Sequence, residues 1–273
     1  MALQVPGKGD STVEFKEVIG TRRSIRFFDP DRPVEREKIQ VILETARLAS
    51  CAVNAHWLRA VVVERDKLPP EKLQMLKTPV AALTLDLAPV HIYFFVDLGI
   101  VKRVKGARLR ELVDAGALAP THGWSHKFVD DFVYPQILEP MTKNLEGYIG
   151  AAFADAGGAA QNALLAAVDQ GLGACMNTPN PMLTKQVFGV PDDWMSLWVM
   201  LVGYPAESKE AGGQRPRPPF EELYFDGEYG KPFARDPQVV EKLKQAKMIQ
   251  SPAPLPGRTD EIRKLAEKYD LPM

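Results

Sequence analysis

The sequence of 273 residues contains few cysteines, few histidines and no surplus of charge of either sign. Its two cysteines, Cys51 and Cys175, are far apart and form no C-x-x-C pair. This argues against a disulfide framework and a zinc cluster, and it favours a reducing compartment. The 34 basic and 35 acidic residues leave a net charge of −1, so the chain lacks the basic excess of a general nucleic-acid binder.

Long uninterrupted apolar runs are also missing. The two most apolar stretches, 81–96 and 151–168, are interrupted by polar residues such as Asp86 and Asp155, whereas a membrane-spanning helix needs about 20 mostly apolar residues. Residues 1–11 are polar and glycine-rich and lack the basic-then-apolar pattern of a signal peptide. With 45% hydrophobic and 25% charged residues, the composition is that of a packed protein, and we expect it to be cytoplasmic.

Several common catalytic signatures are absent. The sequence has no Walker A, H-E-x-x-H or G-x-S-x-G motif, and the run 171–178 is not a dinucleotide fingerprint because Met176 stands where the third glycine belongs. His122 and His126 have the spacing of metal ligands on a helix, but Gly123 lies between them and no motif supplies a third ligand. We therefore expect no metal site.

The hydrophobic pattern mixes helices with short apolar strands. Ser11 and Glu14 stand in capping-box spacing at the first helix, and Gly20 is its predicted end. Helices are predicted over residues 12–19, 33–49, 69–77, 148–170, 181–188, 238–248 and 260–269, and strands over residues 59–64, 90–96, 174–177 and 196–203.

The pattern divides the chain into three parts. A main domain is predicted over residues 12–205. Within it, residues of about 97–147 are irregular and rich in basic and aromatic side chains, which indicates a lid-like insertion of helices and loops. Residues 206–273 are too polar to form their own core, so they are expected to wrap the core or a second subunit.

Two short arginine-rich segments are candidates for holding a phosphate. One is Arg22-Arg23-Ser24-Ile25-Arg26, directly after a predicted helix end, and the other is Arg215-Pro216-Arg217. Guanidinium groups form paired, charge-assisted hydrogen bonds with phosphate oxygens. Taken alone, each segment could equally be a solvated basic loop.

Two further segments consist of small residues that let a planar ligand approach the backbone. The first is the Ser50–His56 loop, which contains Asn54, and the second runs from Gly171 to Thr178. Each also has an ordinary interpretation as a connection between a helix and a strand.

Together and in this order, the four segments resemble the nitroreductase superfamily of FMN flavoproteins. The resemblance covers roughly residues 15–223 and includes a V-V-V strand, an alanine- and glycine-rich long helix, a strand ending in V-G-Y-P, and R-x-R-x-P-x-x-E at residues 215–222. It implies a three-layer α+β fold with a mixed, mainly antiparallel sheet flanked by helices. It also implies a homodimer whose subunits share two FMN sites, with residues 151–160 in the dimer helix.

The resemblance also implies which residues hold the cofactor. No side chain is an obligatory catalytic residue, because the flavin performs the chemistry. Substrate contacts are expected from the insertion, at His122, Trp124, His126, Phe128 and Tyr134. The FMN contacts would come from the arginine segments, from the 50–54 loop of the partner subunit and from the end of the third strand: Arg22, Arg23, Ser24, Arg26, Ser50, Cys51, Ala52, Asn54, Cys175, Met176, Asn177, Thr178, Arg215 and Arg217.

The implied function is NAD(P)H-dependent reduction of an electron-poor aromatic substrate, a nitro compound or a quinone, by a ping-pong mechanism. Two departures from the family pattern, Ala55-His56-Trp57 in place of Q-P-W and Thr178-Pro179 after the third strand, leave the substrate open. The choice between NADH and NADPH also stays open, because the family has no Rossmann domain.

Three alternatives remain at this point. The first is a relative that reductively dehalogenates aromatics or consumes its own flavin. In that case the basic residues of the insertion either bind a zwitterionic substrate or form a solvated helix face. A flavin-binding protein without turnover is the second, and a protein without flavin is the third. The basic residues in question are Lys102, Arg103, Lys105, Arg108 and Arg110.

Overall fold

A four-stranded antiparallel sheet lies at the centre of the molecule. In the computed structural model, which describes residues 14–271, the strands are β1 (Leu58–Glu64), β2 (Val90–Asp97), β3 (Gly173–Asn177) and β4 (Trp194–Gly203). Their order is β1-β2-β4-β3, and all three pairings are antiparallel. The sheet is therefore antiparallel rather than mixed. A single-residue bridge between Ser24 and Ala174 supplies a parallel contact beside it.

Helices cover both faces of the sheet, as the predicted three-layer α+β fold requires. One face packs against α2 (Arg36–Arg47) and α9 (Leu145–Asp169), and the other packs against α3 (Pro70–Leu76), α4 (Ala82–Leu87) and α10 (Pro181–Phe188). Ile92 and Phe94 of β2 face the first layer, while Tyr93 and Phe95 face the second, so β2 is buried on both faces along its length. In chain order, α1 to α13 span Phe15–Thr21, Arg36–Arg47, Pro70–Leu76, Ala82–Leu87, Ile100–Val104, Ala107–Asp114, His126–Phe128, Glu139–Lys143, Leu145–Asp169, Pro181–Phe188, Phe220–Leu223, Pro237–Gln245 and Arg258–Lys268.

The first helix does not end where the sequence predicts. α1 continues through Gly20 to Thr21, and a Cβ atom on Gly20 would lie 1.9 Å from the carbonyl oxygen of Lys247. Glycine at this position therefore serves a close helix-to-backbone contact rather than a helix stop. The predicted cap residue Ser11 and the first predicted helical residue, Thr12, lie outside the described residues.

A second difference is α4, which the sequence pattern did not predict. Its residues are apolar and run directly toward β2, so they resemble the beginning of a longer buried strand. A short apolar run has no periodicity that separates a helix from a strand. The other helices and the strands for which the sequence predicted bounds lie within a few residues of them, whereas the bounds of α5 to α8 and of α11 were not predicted.

Residues 98–144 form a helical insertion that packs on one end of the sheet. They contain α5 to α8 and a π-helical segment, Val129–Leu138. Trp57 joins this part to the core, because its indole N–H donates to the Tyr148 hydroxyl at 3.0 Å, and that hydroxyl donates to the Leu98 carbonyl at 2.9 Å. A buried carboxylate, Asp97, pairs with Arg59 at 2.8 Å and with Arg103 at 2.5 Å.

The C-terminal residues pack against their own chain. The Glu207 carboxylate accepts hydrogen bonds from the backbone N–H groups of Arg26 and Phe27, at 2.5 and 3.0 Å, and pairs with Arg258 of α13 at 2.5 Å. The Tyr269 hydroxyl donates to the Phe28 carbonyl at 3.1 Å. The extension thereby holds the segment 22–28, which carries the first arginines.

α9 is the longest helix, at 25 residues, or about 37 Å. It is rich in small residues, and a Cβ atom added at Gly147, Gly150, Gly157 or Gly158 would meet no atom within 4 Å. Glycine lowers helix stability by about 1 kcal/mol relative to alanine, and nothing within the described chain offsets that cost at these positions. Among the described helices, none has the length and apolarity needed to cross a membrane.

Candidate functional site

Three arginines from the two predicted segments lie together. Arg22 follows α1, while Arg215 and Arg217 stand in the proline-rich stretch before α11. In residues 14–271 none of the three forms a salt bridge with an acidic side chain. Burial lowers the pKa of Arg22, and the nearby charge of Arg217 lowers it further. We call these three residues the arginine cluster; it is a concentration of unneutralised positive charge that suits an anion.

Arg23 has a different role from its neighbours. It is 5% exposed, and its guanidinium group donates to the carbonyls of Gly20 and Glu210, at 2.7 and 3.1 Å, and to the Gln250 side chain at 3.1 Å. These bonds tie α1 to the C-terminal extension. Arg23 is therefore a positioning residue for Arg22, with its own donors already engaged.

The end of β3 lies next to the first arginine segment. The backbone N–H of Ile25 donates to the Ala174 carbonyl at 3.1 Å, which brings Ser24 beside Cys175. The Asn177 amide donates to the Cys175 sulfur at 3.6 Å, while Met176 is half-buried and Thr178 is exposed. Burial raises the pKa of the Cys175 thiol, so the thiol is protonated at neutral pH and is not a nucleophile.

The arginine cluster opens into a cavity of about 920 Å³. Arg22, Arg215 and Arg217 lie on one side, and Gln161 and Leu165 of α9 lie on another. The C-terminal extension supplies the rest of the lining, both apolar and charged side chains. The apolar residues are Val239, Val240 and Leu243 of α12 with Phe220, Phe233, Met248 and Ile249, and the charged residues are Arg235, Asp236 and Lys244. This arginine cavity is large enough for a cofactor-sized ligand with a charged end and a less polar body.

The Ser50–His56 loop is strained. Val53, Asn54 and His56 have φ values of 49°, 52° and 52°, and a β-branched residue such as valine is a genuine outlier in this left-handed region. The loop is fastened at several points: the Ala52 N–H donates to Asp155 at 2.7 Å, and the His56 N–H donates to the Cys51 sulfur at 3.0 Å. Backbone strain that the surrounding structure maintains is typical of functional sites.

A second cavity of about 490 Å³ lies against this loop. Ser50, Cys51 and His56 line it together with side chains from α2, β1, α6 and α9. The His56 Nε2–H donates to the Asn54 side-chain oxygen at 2.8 Å. Burial lowers the pKa of His56, and the charge of Arg108 lowers it further, so the imidazole is neutral at pH 7. We call this space the loop cavity.

The two predicted halves of the site do not meet within one chain. The loop cavity contacts Asp155, Ala156 and Ala159 of α9, whereas the arginine cavity contacts Gln161 and Leu165. At 3.6 residues per turn these two sets lie on different faces of the helix. The sequence prediction assigns the 50–54 loop to the cofactor of the partner subunit, and a separation of the two halves within one chain is compatible with that prediction.

The predicted substrate residues lie in the insertion, away from both cavities. His126 pairs with Asp114 at 2.7 Å, and the Trp124 and Phe128 rings make an edge contact at 5.5 Å between centroids. Tyr134 is half-buried in the core of the insertion, and His122 is exposed. None of these side chains lines the arginine cavity or the loop cavity. Their role as substrate contacts stays a prediction.

The candidate site holds no metal-ligand cluster that the structure can identify. Within residues 14–271, histidine, cysteine and acidic side chains form no group of three or more that could hold an ion. The His122 and His126 pair therefore gains no third ligand in the described chain. Both cysteines are free thiols.

Sequence reasoning missed the residues that position the arginines. Glu207 is the clearest example, because its side chain is fully buried and its carboxylate fixes the backbone of Arg26 and Phe27. In the sequence it stands in the charged run 207–210 and has the pattern of a surface loop. A glutamate directly after the V-G-Y-P-A strand end is a weak signal that a partner for a basic segment lies there. Asp155, which accepts a hydrogen bond from the Ala52 N–H, was also missed, because in the sequence it is a single polar residue within the long apolar helix.

Comparison with known proteins shows which family has this sequence pattern and this fold. The model of the Nitroreductase family matches residues 19–88 and 139–204, about half of the chain. A nitroreductase family protein from Streptococcus pneumoniae TIGR4 has a similar structure, with a TM-score of 0.62 and 23% identity over 78% of this chain and 100% of that chain. No curated protein matches the sequence.

Two further solved structures carry information about cofactors. A protein from Exiguobacterium sibiricum 255-15, assigned as a nitroreductase and solved in complex with FMN, has a TM-score of 0.61 and 20% identity, over 79% of this chain and 98% of that chain. A protein from Staphylococcus epidermidis ATCC 12228, assigned as an NAD(P)H:FMN oxidoreductase, has a TM-score of 0.63 and 20% identity, over 80% and 98% of the two chains. The fold of this chain agrees with that of each of these structures. Because the family model also matches on both sides of the insertion, this chain belongs to the nitroreductase family.

Proposed function

We propose that this protein is an FMN-dependent oxidoreductase that uses NAD(P)H to reduce an electron-poor aromatic compound such as a nitroarene or a quinone. The observation that carries the proposal is the arginine cluster, in which three guanidinium groups that have no acidic partner among residues 14–271 line a cavity of about 920 Å³. Membership of the nitroreductase family and the FMN in a related structure support the same cofactor.

The residues present fit FMN. Its phosphate carries about two negative charges at neutral pH, and the arginine cluster offers a matching positive charge that is partly desolvated. Ser24, Cys175, Met176, Asn177 and Thr178 would then hold the ribityl chain and the ring. Arg26 stands near Cys175, and its charge would favour an electron-rich ring at this end.

The loop half of the site would act on the cofactor of a partner subunit. Ser50 and Cys51 line the loop cavity, which lies on another face of α9 from the arginines, and Ala52 and Asn54 belong to the same loop. A twofold homodimer formed along the open glycine face of α9 would bring the loop half of one chain to the arginine half of the other. This arrangement makes dimerisation a condition for a complete site.

When bound, FMN accepts two electrons from NAD(P)H and passes them to the acceptor. For a nitroarene, one NAD(P)H and one proton from solvent give a nitrosoarene, NAD(P)⁺ and water. This chain needs no side-chain acid for that reaction, since water supplies the proton. Its residues bind the cofactor, hold the ring flat and shape the slot that reductant and acceptor occupy in turn, which gives ping-pong kinetics.

The organisation of the chain follows from this proposal. Residues 12–205 form the cofactor-binding domain, the 97–147 insertion borders the substrate, and the 206–273 extension supports the arginines. The cytoplasm is the proposed location, because both cysteines are free thiols and NAD(P)H is the reductant.

The first experiment is a visible spectrum of the purified protein, followed by NADH or NADPH without oxygen. A yellow, FMN-containing protein that is bleached by either nucleotide is the expected result. Arg22→Gln should weaken FMN binding at least tenfold, since a charged hydrogen bond contributes about 1.5–3 kcal/mol. The exposed Arg36→Gln serves as the matched control and should bind FMN as the unaltered protein does.

Other outcomes separate the alternatives. A yellow protein that neither nucleotide bleaches would indicate flavin binding without turnover. Loss of flavin colour in air after reduction would indicate flavin consumption, and halide release from halophenols would indicate dehalogenation. A colourless protein that takes up no added FMN would contradict the proposal and the assignment of the arginine cluster.

A further inference from the structure

The last helix of the described chain, α13, is joined to the first arginine segment through one buried carboxylate. The Glu207 side chain has no exposed surface, and one of its oxygens accepts hydrogen bonds from the backbone N–H groups of Arg26 and Phe27. The other oxygen accepts from Nη2 of Arg258, the first residue of α13, at 2.5 Å. A continuous set of contacts therefore connects the start of α13 with residues that are remote from it in sequence.

The side chain of Arg258 is tightly held. It is 16% exposed, and its Nη1 donates to Glu261 at 2.8 Å, so that its guanidinium group bridges two carboxylates. A Cβ atom at Gly212 would lie 2.9 Å from the Arg258 Cγ, which shows that the stem of the arginine packs directly on the backbone there. Without the arginine, the carboxylates of Glu207 and Glu261 would lie near each other with no cation between them, and a broken buried pair is strongly destabilising.

The same helix contacts the surrounding backbone at two further points. The Glu261 carboxylate accepts a hydrogen bond from the N–H of Ser208 at 2.5 Å. At the other end of the helix, the Tyr269 hydroxyl donates to the carbonyl of Phe28. α13 therefore holds both segments whose mutual position sets the course of the backbone around the first arginine segment.

The charge of Glu207 also acts on the end of β3. Burial is the main reason that the pKa of the Cys175 thiol is raised; among the weaker effects, the charge of Arg26 lowers this pKa and the charge of Glu207 raises it. Both charges thus lie within electrostatic reach of the strand end that would hold the flavin ring. The position of the Glu207 carboxylate therefore affects both the backbone and the local charge at this end of the site.

We propose that Arg258 is a positioning residue of the cofactor site: by holding the Glu207 carboxylate, it fixes the backbone that presents Arg26 to FMN. FMN binding and the docking of α13 are then coupled, because both favour the same arrangement of this backbone. Coupling between two sites is reciprocal, so bound FMN also holds α13 in its place. This inference rests on the proposed function, in which the first arginine segment binds FMN.

Titration of the flavin-free protein with FMN, followed by flavin fluorescence, gives the first test. Arg258→Gln should raise the Kd for FMN at least tenfold, because the Glu207 carboxylate loses its cation. Arg258→Lys keeps the positive charge and should raise the Kd less. The matched control is Arg263→Gln, which alters an exposed arginine of the same helix and should leave the Kd unchanged. A Kd for Arg258→Gln within twofold of the unaltered value would overturn the inference.

A double-variant cycle separates this role from a general loss of stability. Glu207→Gln keeps an oxygen for the two backbone N–H groups but has no charge for Arg258 to hold. If Arg258 acts through Glu207, adding Arg258→Gln to Glu207→Gln should weaken FMN binding less than twofold further. Circular dichroism establishes that each variant is folded under the conditions of the titration. Additive effects of the two substitutions on the Kd would contradict the positioning role.

Limited digestion with trypsin measures the coupling from the side of the helix. Arg263 and Lys264 are exposed but helical, so cleavage at these residues requires local opening of α13. Saturating FMN should slow this cleavage at least tenfold in the unaltered protein and less than twofold in Arg258→Gln. Equal protection in both proteins would overturn this inference alone, whereas an unaltered protein that takes up no FMN would overturn the proposed function as well.

Discussion

At the scale of single residues, His91 shows how strongly burial can fix a protonation state. The side chain lies fully buried in β2, and its Nε2–H donates to the carbonyls of Leu85 and Ala88, at 3.0 and 3.1 Å. These are the last carbonyls of α4, so His91 caps that helix. Burial lowers the pKa of His91 to about 4, and Nδ1 has no partner in the described chain. Protonation would bury an unpaired charge.

The expected consequence is a pH-dependent stability. In the unfolded chain a histidine binds its proton near pH 6.5, so between about pH 6.5 and 4 the unfolded state binds more protons than the folded state. The free energy of unfolding should therefore fall as the pH is lowered through that window, by up to about 3 kcal/mol. Urea denaturation at several pH values measures it.

Two variants isolate the histidine in that experiment. His91→Gln keeps a donor for the two carbonyls and cannot titrate, so its stability should lose that part of the pH dependence. His122→Gln alters an exposed histidine and should retain it. Equal pH profiles for His91→Gln and the unaltered protein would contradict this assignment.

At the scale of elements, Asp97 joins the insertion to the sheet. It ends β2, is 1% exposed, and pairs with Arg59 of β1 and Arg103 of α5. Arg59 also donates to the His56 carbonyl at 2.6 Å, which links the same network to the Ser50–His56 loop. A buried carboxylate that satisfies two arginines is difficult to replace without leaving charge unpaired.

Asp97→Asn should lower the free energy of unfolding by about 3 kcal/mol, because two arginines lose their buried counter-charge. Asp193→Asn removes the other, exposed partner of Arg103 and should cost less than about 1 kcal/mol. Chemical denaturation gives both values. Similar losses for the two variants would show that burial of Asp97 is not what matters.

The open glycine face of α9 is the element-scale feature that concerns assembly. A Cβ atom added at Gly158 would meet no atom of its own chain within 4 Å, so Gly158→Leu should raise helix stability. If that face of α9 forms the dimer interface, the larger side chain should weaken the association of the two subunits at least tenfold, since overpacking costs about 1–3 kcal/mol. Sedimentation velocity measures the association, and circular dichroism measures the fold.

Gly20→Ala provides the contrast. Its Cβ would collide with the Lys247 carbonyl, so this variant should lower the stability of the chain without a specific effect on association. A Gly158→Leu protein that still forms dimers of undiminished affinity would exclude this face of α9 from the interface.

At the scale of the whole molecule, the separation of the two half-sites leads to a prediction about dimers that combine two different variants. Arg22→Gln damages the arginine half and Asn54→Gly damages the loop half, and each homodimer should then lack an intact site. In a heterodimer of the two variants, one site combines both damaged halves and the other combines two undamaged halves. The heterodimer should bind one FMN and have about half of the activity of the unaltered dimer.

Co-expression with two different affinity tags yields that heterodimer. Complementation would require the site to be shared between subunits. No recovery of flavin binding or activity in the heterodimer would mean that each chain builds its site alone, in a conformation that closes the distance between the loop and the arginines.

The sequence by itself determined the layered α+β fold and the identity of the family. Periodicity located all four described strands and seven of the thirteen described helices, because one face of each must be apolar to reach the core. The arginine segments indicated a function only through their order with the two small-residue segments, since each alone has the pattern of a solvated basic loop. The sequence did not predict α4, because a short apolar run has no periodicity that separates a helix from a strand.

Only the tertiary structure decided which of these residues act together. Contacts between distant parts of the chain engage the guanidinium donors of Arg23 with Glu210 and Gln250, and they place the Glu207 carboxylate against the backbone of Arg26 and Phe27. They also put the two predicted halves of the site on different faces of α9. The physical reason is that a side chain's charge and type are local properties, whereas its burial and its partners depend on residues that are remote in sequence.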